Sequence, residues 1–372
     1  MPVEGLLALH EWFPGFDEGL TVIGGPCAAE SREQVMATAQ ALAQIPSVKV
    51  LRAGIWKPRT RPESFEGVGS KGLEWLQQAK QETGLLLAVE IASPSHLEMA
   101  LKHGVDMVWL GARTTSNPFS VQEIATSLKN TNIPVMVKNP VHPDMDLWIG
   151  ALERLQQSGI RRLAVVHRGF YPCEPTSFRN MPKWEMLIEL KRRYPALPVF
   201  CDPSHMGGDK AYIKHLSQKA LDLDVQGLMI ETHPHPEKAL SDSKQQITPK
   251  ELKELLNQLQ KRHSSSDNAR FKESLESLRE KIDLLDTRML EILAQRMKLV
   301  KKIGTFKKKN QVTILQMTRW QNILNSRLEK GKKLGLDRGF LHRLLELIHG
   351  ESIRQQTQIM NEAQDKNTDK IN

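Results

Sequence analysis

Cysteine is nearly absent from this 372-residue chain: there are three, Cys27, Cys173 and Cys201. So small and odd a number excludes a disulfide framework and points to a reducing compartment, the cytoplasm. Long apolar runs are missing too. The longest candidate, residues 85–89, meets Glu90 at once, far short of the ~18 residues a membrane span needs. The chain does not open with a basic region, an apolar stretch and a cleavage site, so no signal peptide is expected. Zinc-finger spacing, aromatics interleaved for base stacking and a low-complexity arginine-rich tail are also lacking. The net charge of +9 therefore points to small acidic ligands and away from nucleic acid. It is unevenly placed: residues 1–263 carry 30 Lys and Arg against 29 Asp and Glu, residues 264–372 carry 22 against 14.

What is present is one repeated grammar. Between residues 21 and 235 a short apolar, β-branched run is followed by a loop and then by a stretch of helical spacing. The runs are 21–25, 48–54, 85–91, 106–111, 134–138, 163–168, 197–202 and 227–232. Strands alternating with helices pair in parallel, and continuous apolar strands are buried on both faces. Eight such units predict a (β/α)8 TIM barrel over residues 1–262; the competing arrangement, a doubly wound open sheet, would need unusually many units. Residues 263–268 are polar and read as a linker. Beyond them, Leu275, Leu278, Ile282, Leu285, Met289, Ile292, Arg296, Leu299 and Ile303 follow strict 3-4 spacing. That predicts an amphipathic helix of about 35 residues with a coiled-coil seam, ending at Asn310-Gln311. A second helix is predicted near 315–329, a loop at 331–335 and a third helix near 337–358. Residues 269–358 thus form a small all-α domain that should dimerise along its first helix, and 359–372 a disordered tail.

In a barrel of this kind chemistry sits at the carboxyl ends of the strands. Cys27 and Glu30 follow run one; Arg52, Lys57 and Arg59 follow run two; run three ends ambiguously in Glu90. Arg113, Lys138-Asn139, His167-Arg168, Asp202 with His205, and Glu231 with His233 follow the rest. Scattered surface charge would not gather at one end of every run. Cys27, His205, Glu231 and Asp242 together offer a soft thiolate, an imidazole and two carboxylates, which suits a divalent transition metal better than magnesium. Taken singly, each also has an ordinary structural role open to it: a small buried cysteine, a cap for the Gly207-Gly208 turn, two surface carboxylates. The cations Arg52, Lys57, Arg59, Arg113, Lys138 and Arg168 would repel one another unless they meet two anionic groups. The alternative is that several point outward, least so Lys138 and Arg168, which end buried strands.

Gly25-Pro26-Cys27, Lys57-Pro58-Arg59-Thr60, Gly111-Ala112-Arg113, Asp202-Pro203-Ser204-His205 and the run from Glu231-Thr232-His233 to Asp242 occur in one order and spacing. Together they closely resemble the type I β family of 3-deoxy-D-arabino-heptulosonate 7-phosphate (DAHP) synthases, over about residues 1–262. The resemblance implies a divalent metal, Mn2+ or a similar ion such as Fe2+, Co2+ or Zn2+, on Cys27, His205, Glu231 and Asp242. It implies phosphoenolpyruvate on Arg52, Lys57, Arg113, Lys138 and Arg168, erythrose 4-phosphate against Arg59 and Thr60, and Lys57 as proton donor near the aldehyde. A related family on the same scaffold, 3-deoxy-octulosonate 8-phosphate synthase, takes arabinose 5-phosphate; Lys57-Pro58-Arg59-Thr60 favours the four-carbon sugar. Some members carry an N-terminal regulatory domain; about 20 residues precede the first run, so none is expected.

The helical stretch has its own oddities. Arg296 holds a seam position, and a buried arginine costs several kcal/mol unless an anion meets it. Lys307 stands three turns along the same face, and Ser352 and Gln356 form an i,i+4 polar pair. A coiled-coil register residue and a solvated lysine are the plain alternatives. Arg279, Arg296, Lys307, Arg319, Ser352 and Gln356, with Leu278-Arg279-Glu280-Lys281-Ile282 and Leu285-Asp286, resemble the all-helical chorismate mutase family over about residues 269–358. The resemblance implies an interlocked homodimer with Arg279 supplied by the partner chain. It further implies arginines on the two carboxylates of chorismate, and Lys307 and Gln356 on its ether oxygen, with prephenate as product. Two positions depart from that family. Gln316 and Trp320 stand where it has acids that bind the substrate hydroxyl, and Gln321 is a possible substitute. Expected, then, is a bifunctional enzyme; the alternative is a synthase whose helical domain mainly senses chorismate or prephenate and inhibits the barrel.

Overall fold

The computed structural model describes residues 5–16, 19–57, 65–262 and 265–361. The chain divides into two compact units, Met1–Ser264 and Ser265–Asn372. In the first, eight strands close into a parallel barrel in sequence order: β1 Thr21–Gly25, β2 Val48–Arg52, β3 Leu86–Ile91, β4 Met107–Leu110, β5 Val135–Lys138, β6 Leu163–His167, β7 Val199–Cys201 and β8 Gly227–Glu231. Closure is direct, β1 pairing with β8 from Thr21↔Gly227 to Gly25↔Glu231. The helices that follow the strands are α1 Arg32–Ala43, α2 Lys71–Thr83, α3 Pro94–Lys102, α4 Ala112–Thr115, α5 Pro118–Leu128, α6 Met145–Gln157, α7 Trp184–Arg193, α8 Pro203–Gly207, α9 Ile213–Asp222 and, after β8, α10 Pro249–Gln258.

Each strand buries both faces, as its continuous apolar run requires. Val22, Val108, Leu110 and Cys201 face the helix layer, while Ile23, Trp109, Met136, Phe200 and Met229 fill the barrel. Leu9, Trp12 and Phe16 join that inner cluster, so the segment before β1 contributes to the barrel filling. Gly227 is required by this packing: a Cβ there would lie 2.2 Å from the ring of Phe200.

α4 and α8 escape a reading based on periodicity, because four or five residues are about one turn. The ends of α8 fix it. In α8, Pro203 takes the first turn, where its missing N–H is no loss, and Asp202 caps it by accepting the His205 N–H at 3.0 Å.

The second unit consists of α11 Ala269–Lys309, α12 Met317–Lys333 and α13 Arg338–Asn361. α11 is longer than its seam suggested because Asn268, the last linker residue, caps it by accepting the Phe271 N–H. Gly331 does not open a loop, contrary to the sequence-based expectation. It lies inside α12, where a Cβ would sit 2.0 Å from Leu341 Cδ2: the glycine lets α13 approach. The turn comes at Gly335, with φ +75°. α11 meets α13 through Arg296, Val300 and Gly304, while seam residues Leu278, Ile282, Leu285, Met289 and Ile292 are 50–64% exposed. The expected tail from 359 begins within α13, and residues 362–372 lie outside the described residues.

Candidate active sites

At the carboxyl end of the barrel, Cys27, Glu231 and Asp242 place ligand atoms all within 4.8 Å of one another. Backbone geometry holds each of them. The Cys27 N–H donates to Gln246 Oε1 at 3.0 Å and its carbonyl accepts from Gly54 N at 3.2 Å. Gly54 must lack a side chain, since a Cβ would lie 2.4 Å from that carbonyl. Glu231 closes β8 with its N–H on Ser204 Oγ. Asp242 sits at φ +51°, a conformation that Asp tolerates better than most residues. His205 presents Nε2 to Glu231 Oε1 at 3.7 Å and Nδ1 to Asp202 Oδ2 at 2.8 Å. Three of the four sequence-predicted ligands therefore converge, and His205 stands beside them, next to Glu231.

Their electrostatics suit a cation. Burial, and next the Glu231 carboxylate, push the Cys27 thiol up to about 12, against the pull of Lys57. A thiolate is thus costly here unless a positive ion joins the site. Burial works against ionisation of Asp242, yet His205, Arg179 and Lys57 hold its carboxyl well below the ordinary range. Glu231 Oε1 is buried, accepts no hydrogen bond of good geometry, and faces Arg52 Nη2 at 3.1 Å. Thiol, imidazole and two carboxylates fit a divalent transition metal. Lys57 Nζ lies 2.7 Å from Cys27 Sγ.

Of the predicted cations, Arg52 and Lys57 touch this cluster, while Arg113 is exposed. Arg52 is 2% exposed, reaches Glu231 Oε1 at 3.1 Å, and lies over the Trp109 ring. Lys138 pairs with Asp202 Oδ2 at 2.9 Å over the same ring. The Arg168 side chain donates to Asn180 Oδ1, and burial lowers it to about 10, with Arg179 and Arg113 adding to the effect. Arg113 is on α4. Arg59 and Thr60 lie outside the described residues.

Several residues of the site carried no assignment from the sequence. Arg179 bonds Asp242 Oδ1 at 3.0 Å and Gln245 Oε1 at 2.6 Å; it lies in the irregular segment between β6 and α7, where no periodicity marks it. Gln245 donates to Glu231 Oε2 at 2.5 Å. Glu90, ambiguous as a strand end, accepts from Trp109 Nε1 and requires Gly111, whose Cβ would lie 2.3 Å from Glu90 Oε1. Asp202 was visible in its motif, but its pairing with both Lys138 and His205 needed the fold.

The helical unit gathers a second polar set. Arg296 Nη1 donates to Ser352 Oγ at 2.7 Å, and Ser352 Oγ donates to Ile348 O. Gln356 is buried, its Nε2 on Ser352 O and its Oε1 unpartnered. Lys307 Nζ donates to Ile314 O at 2.5 Å. Burial lowers both Arg296 and Lys307, Arg327 adding to the former. Arg319 is exposed on α12. Arg279 is exposed beside Glu276 and is not brought to this set within the chain. Trp320 stacks on His349, a histidine that sequence reasoning passed over.

Comparison with known proteins gives two matches along the chain. The family model described as "DAHP synthetase I family" matches residues 8–268, and that described as "Chorismate mutase type II" matches residues 278–357. A phospho-2-dehydro-3-deoxyheptonate aldolase of Thermotoga maritima is 34% identical over 241 residues, 65% of this chain and 69% of that protein. A 2-dehydro-3-deoxyphosphooctonate aldolase of Variovorax paradoxus is 28% identical over 265 residues, 66% of this chain and 90% of that protein. The crystal structure of the Thermotoga maritima DAHP synthase superposes with a TM-score of 0.59 at 31% identity, covering 68% of this chain and 75% of that one.

Proposed function

The chain belongs to the DAHP synthetase I family and carries a chorismate mutase region, so it is both a 3-deoxy-7-phosphoheptulonate synthase and a chorismate mutase; from that premise we propose how its residues divide the work. The barrel condenses phosphoenolpyruvate with erythrose 4-phosphate to DAHP and phosphate, the first shikimate-pathway step, and the helical unit rearranges chorismate to prephenate. The observation that carries the barrel assignment is the convergence of Cys27, Glu231 and Asp242 at one end of a closed barrel, with Arg52 and Lys57 against them.

The family is metal-dependent. We assign the ion to Cys27, His205, Glu231 and Asp242, and its identity to Mn2+ or a similar transition ion such as Fe2+, Co2+ or Zn2+. When bound it supplies Lewis acidity toward the aldehyde. Arg52, Lys57, Arg113, Lys138 and Arg168 hold phosphoenolpyruvate. Arg52 and Lys138 are already anchored by Glu231 and Asp202, so they need little reorganisation when the substrate arrives. Arg59 and Thr60 take the aldose phosphate. Carbon 3 of phosphoenolpyruvate attacks the aldehyde carbon, and Lys57 delivers a proton to the aldehyde oxygen, directly or through water. Water adds at carbon 2, and phosphate departs with cleavage of its bond to that carbon.

In the helical unit, Arg296, Arg319 and Arg279 from a second copy of the chain meet the two carboxylates. Ser352 supports Arg296, and Lys307 and Gln356 hydrogen-bond the ether oxygen. The site acts by holding a compact conformer and stabilising charge separation. A second copy is motivated by the exposed stripe Leu278, Ile282, Leu285, Met289 and Ile292, which is wider than scattered surface apolar residues need be. Leu285→Asp should lower mutase activity and shift sedimentation to a smaller species while leaving condensation intact. A wild-type monomer with full mutase activity would rule the shared site out.

The helical unit also serves as a feedback sensor in this reading, because a fused downstream enzyme binds the pathway's later metabolites on the same chain as the entry reaction. Initial condensation rates should fall at saturating prephenate; an unchanged rate sinks this part of the proposal. Among the described residues no helix is long and apolar enough to cross a membrane, and we place the enzyme in the cytoplasm.

A further inference from the structure

One pair of rings in the helical site has no task in the reading above. Trp320 and His349 stack with centroids 3.8 Å apart and planes 9° from parallel. His349 precedes Ser352 by three residues and Gln356 by seven, so the three share one face of α13. The charged groups that face the imidazole are Arg296 and Lys307, both on α11; α12 presents the uncharged Trp320. His349 Nε2 is buried and makes no hydrogen bond.

Arginine, lysine and indole nitrogens only donate. Buried acceptors without a partner on α13 are His349 Nε2, Gln356 Oε1 and Gln355 Oε1, and of these the first two, seven residues apart, share a face. Chorismate brings two carboxylates and an ether oxygen, which need donors, and one ring hydroxyl, whose proton needs an acceptor. Gln316 and Trp320 bring no carboxylate to this site, and Gln321 is exposed on α12. We propose that His349 Nε2 accepts the hydrogen bond of the substrate's ring hydroxyl, and that Trp320 is a positioning residue that fixes the imidazole plane. The assignment rests on the mutase reading of this site. It requires a neutral imidazole carrying its proton on Nδ1. Burial, and then Arg296 and Lys307, hold His349 below its ordinary 6.5. The acceptor is therefore present at neutral pH and lost as pH falls through that depressed value.

The test uses the full chain with chorismate, and follows helical unfolding by circular dichroism to confirm that each variant is folded. His349→Ala should lower mutase kcat/KM by roughly ten- to a hundred-fold, Trp320→Ala by less, and Trp320→Phe, which keeps a stacking ring, least. His349→Gln keeps an acceptor that does not titrate. It should retain more activity than His349→Ala and lose the acid limb expected of wild-type kcat/KM below the ordinary imidazole value, where His349 protonates. Should His349→Ala unfold, His349→Gln decides alone: an acid limb unchanged from wild type overturns the assignment. A folded His349→Ala within about two-fold of wild type also overturns it while leaving the mutase reading intact. A wild-type chain that neither rearranges nor binds chorismate removes that reading and this assignment with it.

Discussion

Cys27→Ala should abolish metal-supported condensation, by roughly a thousand-fold or more, and leave chorismate rearrangement at its wild-type rate. The thiol lies within 4.8 Å of the ligand atoms of Glu231 and Asp242, so alanine removes the soft donor on which a preference for a transition ion rests. It also removes the partner of Lys57 Nζ at 2.7 Å, which frees the proposed proton donor to swing away. The fold should survive, because Cys27 is held by its backbone, through Gln246 and Gly54. Two assays on one preparation read the result. Full condensation activity in this variant would show that the metal assignment is wrong. Treatment of wild type with a strong chelator should mimic the variant, again sparing the mutase reaction, since the polar set on α11 and α13 contains no carboxylate or thiol.

Arg296→Ala should produce the reverse pattern, lowering mutase kcat/KM by roughly a hundred- to a thousand-fold while condensation proceeds normally. The guanidinium is partly desolvated and donates to Ser352 Oγ at 2.7 Å. An anionic substrate is the partner that offsets its burial, and alanine deletes the charge without replacing it. Arg296→Lys should recover little, because an ammonium cannot reproduce a planar fork aimed at a carboxylate. The measurement is steady-state rearrangement on the intact chain and on the separately produced helical unit. A variant with normal mutase kinetics would leave Arg296 as a register residue of the helix seam.

Much of the barrel was legible because burial on both faces leaves a continuous apolar run, and the chemistry falls at the point where each run stops. Cys27, Lys138, Arg168, His205 and Glu231 could be picked out in this way. Arg179, Gln245 and Gln246 could not: they lie in irregular segments, and their relevance is distance to Asp242, Glu231 and Cys27. The helical unit shows the converse error. Gly331 looked like a break because glycine disfavours helix interiors, but a close approach of Leu341 outweighs that preference.

Residue order alone therefore determined the alternation of strand and helix, the strand ends that bear charge, the boundary near residue 263 and the motifs of both families. These are local properties, written in periodicity and in the residue types that chemistry requires at fixed spacing. The tertiary structure decided which charges neutralise one another: Arg52 on Glu231, Lys138 on Asp202, Arg179 on Asp242. It also decided that His349 lies beneath Trp320. Such pairings join residues far apart in the chain, and Coulomb and hydrogen-bond energies depend on separation in space, which spacing in sequence does not encode.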